Sequence, residues 1–262
     1  LGKGEEGFMI NFLRNMLAMI ELELRRLKHD RTEVYTRSIQ PILWLVIYGS
    51  TMSSIKAIPT HGIPYIDYIT PGVLIQSTTF TSIFYGLIIV WERESGILKK
   101  LLVTPASRYS IVIGRSMASG IRALFQALII IPIALILGVK FLQNPVFFAL
   151  AFLIIFFASG GFAALSIFVA SFLKTRERFM GIGQAITFPL FFSSSALYPI
   201  ELMPPIIKEF AFFNPMSYIV DAVRSLIISG NLTSLPIDLA AITIFNAAAF
   251  TIASINIKKI VE

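Results

Sequence analysis

The chain has 262 residues, of which 56% are apolar, 23 are Phe and only 14% are charged. Ordinary soluble domains carry roughly 25% charged residues, so this much apolar surface calls for a bilayer as solvent, where lipid tails need no polar coat. Cysteine is absent, which excludes disulfides, thiolate nucleophiles and Cys-based metal centres, and the formal charge of +7 bears on membrane sidedness rather than on nucleic acid.

Leu1–Gly7 reads as a loose terminus. Residues 8–28, "FMINFLRNMLAMIELELRRLK", place Phe8, Phe12, Met16, Ile20, Leu24 and Leu27 on one half of a helical wheel and Arg14, Glu21, Arg25 and Lys28 on the other. Such a helix is expected to lie in the headgroup plane. No cleavable signal peptide is expected, because the first strongly apolar run begins near residue 39 and no small-residue cleavage site follows it. A membrane span needs about 20 mostly apolar residues. Six runs are read as spans: about Ile39–Ile55, Ile69–Trp91, Met117–Val139, Val146–Leu173, Phe179–Tyr198 and Pro236–Ile257. The fold expected is an all-α polytopic membrane protein, one domain over 1–262, with a six-span bundle over 39–257.

The connections differ sharply in charge. Of 22 Lys and Arg residues, 17 fall before the first span, between spans two and three, between four and five, or after six; Lys56, Lys140, Lys208 and Arg224 fall on the other side, and Arg122 lies within a span. By the positive-inside rule both termini are cytosolic, so the chain is expected to be a multi-pass protein of the cytoplasmic membrane. Residues 199–215, "PIELMPPIIKEFAFFNP", hold four of the 13 prolines, too broken to span, and are expected to form an external re-entrant or interfacial helical segment.

Several chemistries are missing from the sequence. There is no G-x-x-x-x-G-K-[ST] phosphate loop. His29 and His61 are far apart, with no carboxylate helpers for a metal. The serines of "SSSALYP" (193–199) fit small packing residues better than a nucleophile. No carboxylate sits in mid-span as an ion- or proton-coupled pump would need. Any work done by this chain is therefore expected to draw energy from another subunit.

Three stretches, in order, resemble the membrane subunit of type-2 ABC exporters, the drug- and lipid-exporting branch that includes the daunorubicin-resistance permeases. "WERESGILKKLLVTPASR" (91–108) matches E-x-x-x-G-x-x-x-x-L-x-x-T-P through Glu92, Gly96, Leu101 and Thr104-Pro105. "SSALYPIELMP" (194–204) follows the fifth span, with Tyr198, Pro199, Glu201 and Pro204. "FFNPMSYIVDAVRSLI" (212–227) matches N-P-x-x-Y-x-x-D-A-x-R through Asn214, Pro215, Asp221 and Arg224. The resemblance implies that residues 92–105 form a cytosolic coupling helix docking on a separate ABC ATPase, through Glu92, Arg93, Glu94, Gly96, Leu98, Leu101, Thr104 and Pro105. Glu92 and Glu94 near that helix's start would suit its dipole, and Gly96 would allow close approach. It also implies no ATP or Mg site in this chain, both being bound by the ATPase, and a dimer with a second copy or a close paralogue. The substrate would be an amphiphile or lipid-linked molecule (drug, lipid or polysaccharide) moved outward. Gln76, Ser77, Thr78, Thr79, Tyr85, Gln184, Thr187, Phe188, Phe191 and Ser194 are the expected lining of the route, the hydroxyls serving equally well as glue between helices. A passive channel or scaffold without an ATPase is the alternative from another class.

Overall fold

The computed structural model describes residues 31–56, 58–60, 62–96, 108–173 and 175–256, with Arg14, Leu17, Ala18, Glu21 and Arg25 before them. Those five are helical and exposed, and Arg25 pairs with Glu21 one turn away at 2.6 Å. The rest of the 8–28 helix lies outside the described residues, as do positions 97–105 of the 92–105 segment.

Every regular element among the described residues is helical. In chain order they are α1 (Arg31–Leu43), α2 (Ser50–Ile55), α3 (Tyr65–Glu94), α4 (Arg108–Ile136), α5 (Pro145–Ala170), α6 (Arg176–Phe192), α7 (Pro205–Phe213), α8 (Pro215–Arg224) and α9 (Leu235–Asn256). A π-helical turn, Trp44–Gly49, joins α1 to α2 with helical backbone at both junctions, so the coil runs unbroken from Arg31 to Ile55. A second π-helical turn, Ser225–Ser229, extends α8 and closes on Gly230, which sits at φ 71° and donates its N–H to Ser225 O.

Four helices are long and apolar enough to cross a bilayer: Tyr65–Glu94, Ile111–Ile136, Pro145–Ala170 and Leu235–Asn256. They correspond to the expected spans two, three, four and six. The expected first span falls on α1, the π-turn and α2. The fifth falls on α6, whose 17 residues rise about 25 Å, short of a hydrocarbon core of about 30 Å.

Helix α3 is the axis of the molecule. It packs against α1, α4, α5, α6 and α8, and most of its length is buried, including Ile69, Val73, Leu74, Ile75, Ile89 and Val90. Burial on all sides explains why its sequence shows no apolar stripe. Small residues allow the approach. A side chain at Gly72 would strike the main chain of Ala196, and one at Gly86 would strike Ser166 and sit 2.6 Å from Phe179. Helix α5 fills the opposite side with Phe162, Ala163, Ala164 and Ile167, all inaccessible. Helix α9 packs on α5 and α8 and is the least buried of the four long helices.

The segment from 199 to 215, expected to be a helical piece too broken to span, is built from short helices, and the helical run continues to 229. It is a 3-10 turn (Ile200–Leu202), the short α7 and then α8. Helix α7 exposes Ile206, Phe210 and Phe213, whereas α8 buries Met216, Ile219, Val220 and Val223 in the main core. Prolines set both starts, at the first position of α7 (Pro205) and of α8 (Pro215), where a missing N–H costs nothing.

Candidate functional site

Two polar clusters lie at opposite ends of α3, with a hydroxyl-rich middle between them. The first closes the Glu92 end. Helix α3 runs through Glu92 and Glu94, so these acids sit in its last turn rather than at the start of a new helix. A helix C-terminus repels negative charge, and the structure answers with two cations from elsewhere. Arg115 of α4 reaches Glu92 at 2.6 Å, both side chains more than nine-tenths buried, and Arg176, at the start of α6, reaches Glu94 at 2.6 Å in a half-exposed position. Gly96 follows at φ 73°, and its N–H bonds to Arg93 O. A Cβ there would meet nothing within 4 Å among the described residues. Its glycine suits the left-handed backbone that ends the helix. Arg93 is partly exposed beside it. Leu98, Leu101, Thr104 and Pro105 lie outside the described residues.

The second cluster centres on Arg224 at the last turn of α8. Its Nη1 bonds Asp221 at 2.5 Å, its Nη2 the Ser195 carbonyl at 2.6 Å and its Nε the Tyr68 carbonyl at 3.3 Å. The guanidinium lies 3.8 Å from the centroid of the Tyr68 ring. Tyr68 donates its hydroxyl to the Ser195 carbonyl, Tyr65 donates to Leu197 O, and the Ser195 hydroxyl donates to Asp221. One cation thus ties α3, the 193–199 turn and α8 together. Asn214 joins from the N-cap of α8: its Oδ1 accepts from Met216 N, and its Nδ2 donates to Leu190 O at the end of α6. Tyr198 donates to Phe192 O, Pro199 is buried, and Glu201 and Pro204 are exposed. The other two serines of the turn are spent on main-chain carbonyls, Ser193 on Pro189 O and Ser194 on Phe191 O.

Between the clusters the hydroxyls of α3 bond backward along their own helix: Ser77 to Leu74 O, Thr78 to Ile75 O, Thr81 to Ser77 O and Ser82 to Thr78 O. Ser82 also meets Ser159 of α5 at 2.6 Å, and Ser159 meets Ser119 of α4 at 3.2 Å. Three helices are pinned at one level by hydroxyls. Of the expected route residues, Gln76, Ser77, Thr78, Thr79, Tyr85, Thr187, Phe191 and Ser194 are buried inside the single chain, and Gln184 and Phe188 are exposed. Phe188 stacks on Phe192 and meets Phe80 edge-on, which brings α3 and α6 into one aromatic wall. Arg122, within a span, is buried with its guanidinium 5.6 Å above the Tyr85 ring.

Arg115 and Tyr68 were not singled out from the sequence. No spacing rule connects Glu92 to Arg115 or Tyr68 to Arg224. The Asp221–Arg224 spacing of three, by contrast, is a legible helix pair.

Residues 14–228 match the family described as ABC-2 type transporter. The chain belongs to the ABC-2 type transporter family. Among relatives of this ABC-2 chain, a protein named as the transport permease ycf38 in Cyanophora paradoxa is 27% identical over 82% of this chain and 74% of its own length. A protein named as the doxorubicin resistance ABC transporter permease protein DrrC in Mycobacterium tuberculosis is 25% identical over 85% of this chain and 80% of its own. The daunorubicin resistance ABC transporter permease protein DrrB1 of Streptomyces coeruleorubidus is 23% identical, covering 76% and 70%. The match takes in both polar clusters of this ABC-2 protein and stops before α9.

Proposed function

We propose that this chain is the membrane subunit of an ATP-driven exporter, moving an amphiphilic or lipid-linked substrate out of the cytosol or inner leaflet. A separate ABC ATPase binds ATP and Mg and docks on residues 92–105. The observation that carries this reading is the Glu92 end of α3. There the motif E-x-x-x-G coincides with two ion pairs that tie the end of the central helix to α4 and α6. A push delivered just beyond Gly96 meets a braced joint and passes to three helices at once. A free loop would absorb it.

In this reading the chain is a single six-span domain. The continuous coil from Arg31 to Ile55 is span one, and α6 with the turn after it is span five. Helices α7 and α8 dip into the outer leaflet from the external side, the 8–28 helix lies on the inner surface, and both termini are cytosolic. Two such chains, identical or closely related, enclose one route. The names of DrrC and DrrB1 favour a drug-like amphiphile.

The test is co-purification in mild detergent from the native host. Wild type is expected to retain a stoichiometric ATPase subunit. Leu98→Asp with Leu101→Asp is expected to lose it while keeping its own oligomeric state on size exclusion. If no ATPase accompanies wild type, the exporter reading fails, and a passive channel or scaffold takes its place.

A further inference from the structure

A groove of about 230 Å³ separates α1 from the middle of α3, walled by Gln40 and Pro41 on one side and by Gln76, Phe80 and Phe84 on the other, with Arg37 at its rim. Two of its hydroxyls, Ser77 and Thr81, are committed to main-chain carbonyls. Gln76 is different. The residue is 2% exposed, and neither Nε2 nor Oε1 has a hydrogen-bond partner among the described residues. A buried amide with both ends unmet is rare in native structures, and at mid-helix depth in a bilayer water is scarce.

We infer that this groove is a binding site for the head of an uncharged amphiphile that offers a hydrogen-bond donor and an acceptor side by side, a hydroxylated or amide head, seated on Gln76. Nε2 donates to the head's oxygen and Oε1 accepts from its O–H or N–H. The apolar body lies along Pro41, Phe80 and Phe84. The chemistry of the lining selects the head. A cationic head meets no carboxylate among the lining residues and stands near the Arg37 guanidinium, itself 5.5 Å above the Phe84 ring. An anionic head, offering acceptors alone, would leave Oε1 unmet. The inference rests on the export reading for its meaning, since it names the substrate class of that route, but binding itself needs no ATPase.

The experiment measures equilibrium binding of three radiolabelled probes with the same acyl length to the full chain in phosphatidylcholine nanodiscs. Monooleoylglycerol carries donors and acceptors, methyl oleate acceptors only, and oleylamine a cation. Wild type is expected to bind monooleoylglycerol roughly tenfold more tightly than either of the others, the scale of a donor–acceptor pair made in a dry site. Gln76→Met should erase that preference, and Ser77→Ala, whose hydroxyl already serves Leu74 O, should keep it. Should Gln76→Met fail to fold, a photoreactive monooleoylglycerol on wild type decides: labels on residues 36–41 and 76–84 support the site, and labels only elsewhere overturn it. Equal binding of the three probes, or a preference that survives Gln76→Met, also overturns it. Any of these failures would leave the ATPase co-purification result untouched, so the two readings fall separately.

Discussion

At the residue scale, the two ion pairs at the Glu92 end look alike in distance and differ in surroundings. Glu92–Arg115 is desolvated, and Glu94–Arg176 keeps water. Removing one partner of a buried pair strands a charge and costs about 3–5 kcal/mol, whereas removing the pair together costs far less. Arg115→Met is therefore expected to lower detergent thermal stability sharply, and adding Glu92→Met should restore much of it. Arg176→Met should move stability by no more than about 1 kcal/mol, because exposed pairs contribute little. Thermal unfolding of the four proteins checks this, and equal losses for Arg115→Met and Arg176→Met would contradict it. Arg224 makes the same argument at the other end. It satisfies two carbonyls and a carboxylate on three separate segments, so Arg224→Lys, which keeps the charge but loses the planar fork, is expected to loosen α8 nearly as much as Arg224→Met. Protease accessibility of the 193–199 turn reports that loosening.

At the element scale, glycines decide where helices stop and how closely they pass. Gly96→Ala meets no atoms of the described residues but must hold φ 73°, a strain of about 1–2 kcal/mol for a residue with a Cβ. Folding should survive, and in the proposed assembly with an ATPase, ATP turnover should fall because the α3 terminus is no longer sharply set. Gly86→Val is the opposite case. Its side chain would run into Ser166 and Phe179 across the α3–α5–α6 junction, exceeding the roughly 1–3 kcal/mol of ordinary overpacking. Gly181→Val on the open face of α6, where nothing lies within 4 Å, is the matched control and should purify like wild type. Loss of monodisperse protein for both variants alike would count against the packing account. Helix existence and approximate extent were legible in the sequence, because runs of apolar residues bounded by charge or Pro leave few other structures in lipid. Helix α8 was not legible as a core element. Its apolar residues share a short segment with Asp221 and Arg224, and only their partners on α3 and the 193–199 turn make that polarity tolerable inside.

At the scale of the whole molecule, the charge asymmetry of the connections predicts sidedness, and the absence of cysteine makes it directly testable. Single cysteines at Lys140 and Ser229, both exposed, should react with an impermeant maleimide on intact cells. One at Thr175 should react only after permeabilisation. The reverse pattern would turn the protein over and place the Glu92 end outside, out of reach of any ATPase. The same whole-chain view shows how the polar clusters divide the work. The Glu92 joint braces the end where force would enter, the Ser82–Ser159–Ser119 contact holds three helices at mid-depth, and the Arg224 cluster ties down the far end.

Composition determined that this chain is membrane-borne, because 14% charge cannot cover 56% apolar residues in water, its long apolar runs determined that it is helical, and its three motifs pointed to the transporter family before any helix was placed. The tertiary structure decided what those motifs touch. Glu92 belongs to the end of α3 and not to a new helix because Arg115, 23 residues on, is folded back against it. Gln76 is an unmet amide and not one more hydroxyl-like glue residue because, among the described residues, no partner on α1 or its own helix comes within reach. Sequence records which groups must avoid lipid or seek a partner; only the three-dimensional packing of distant segments determines which partner each one finds.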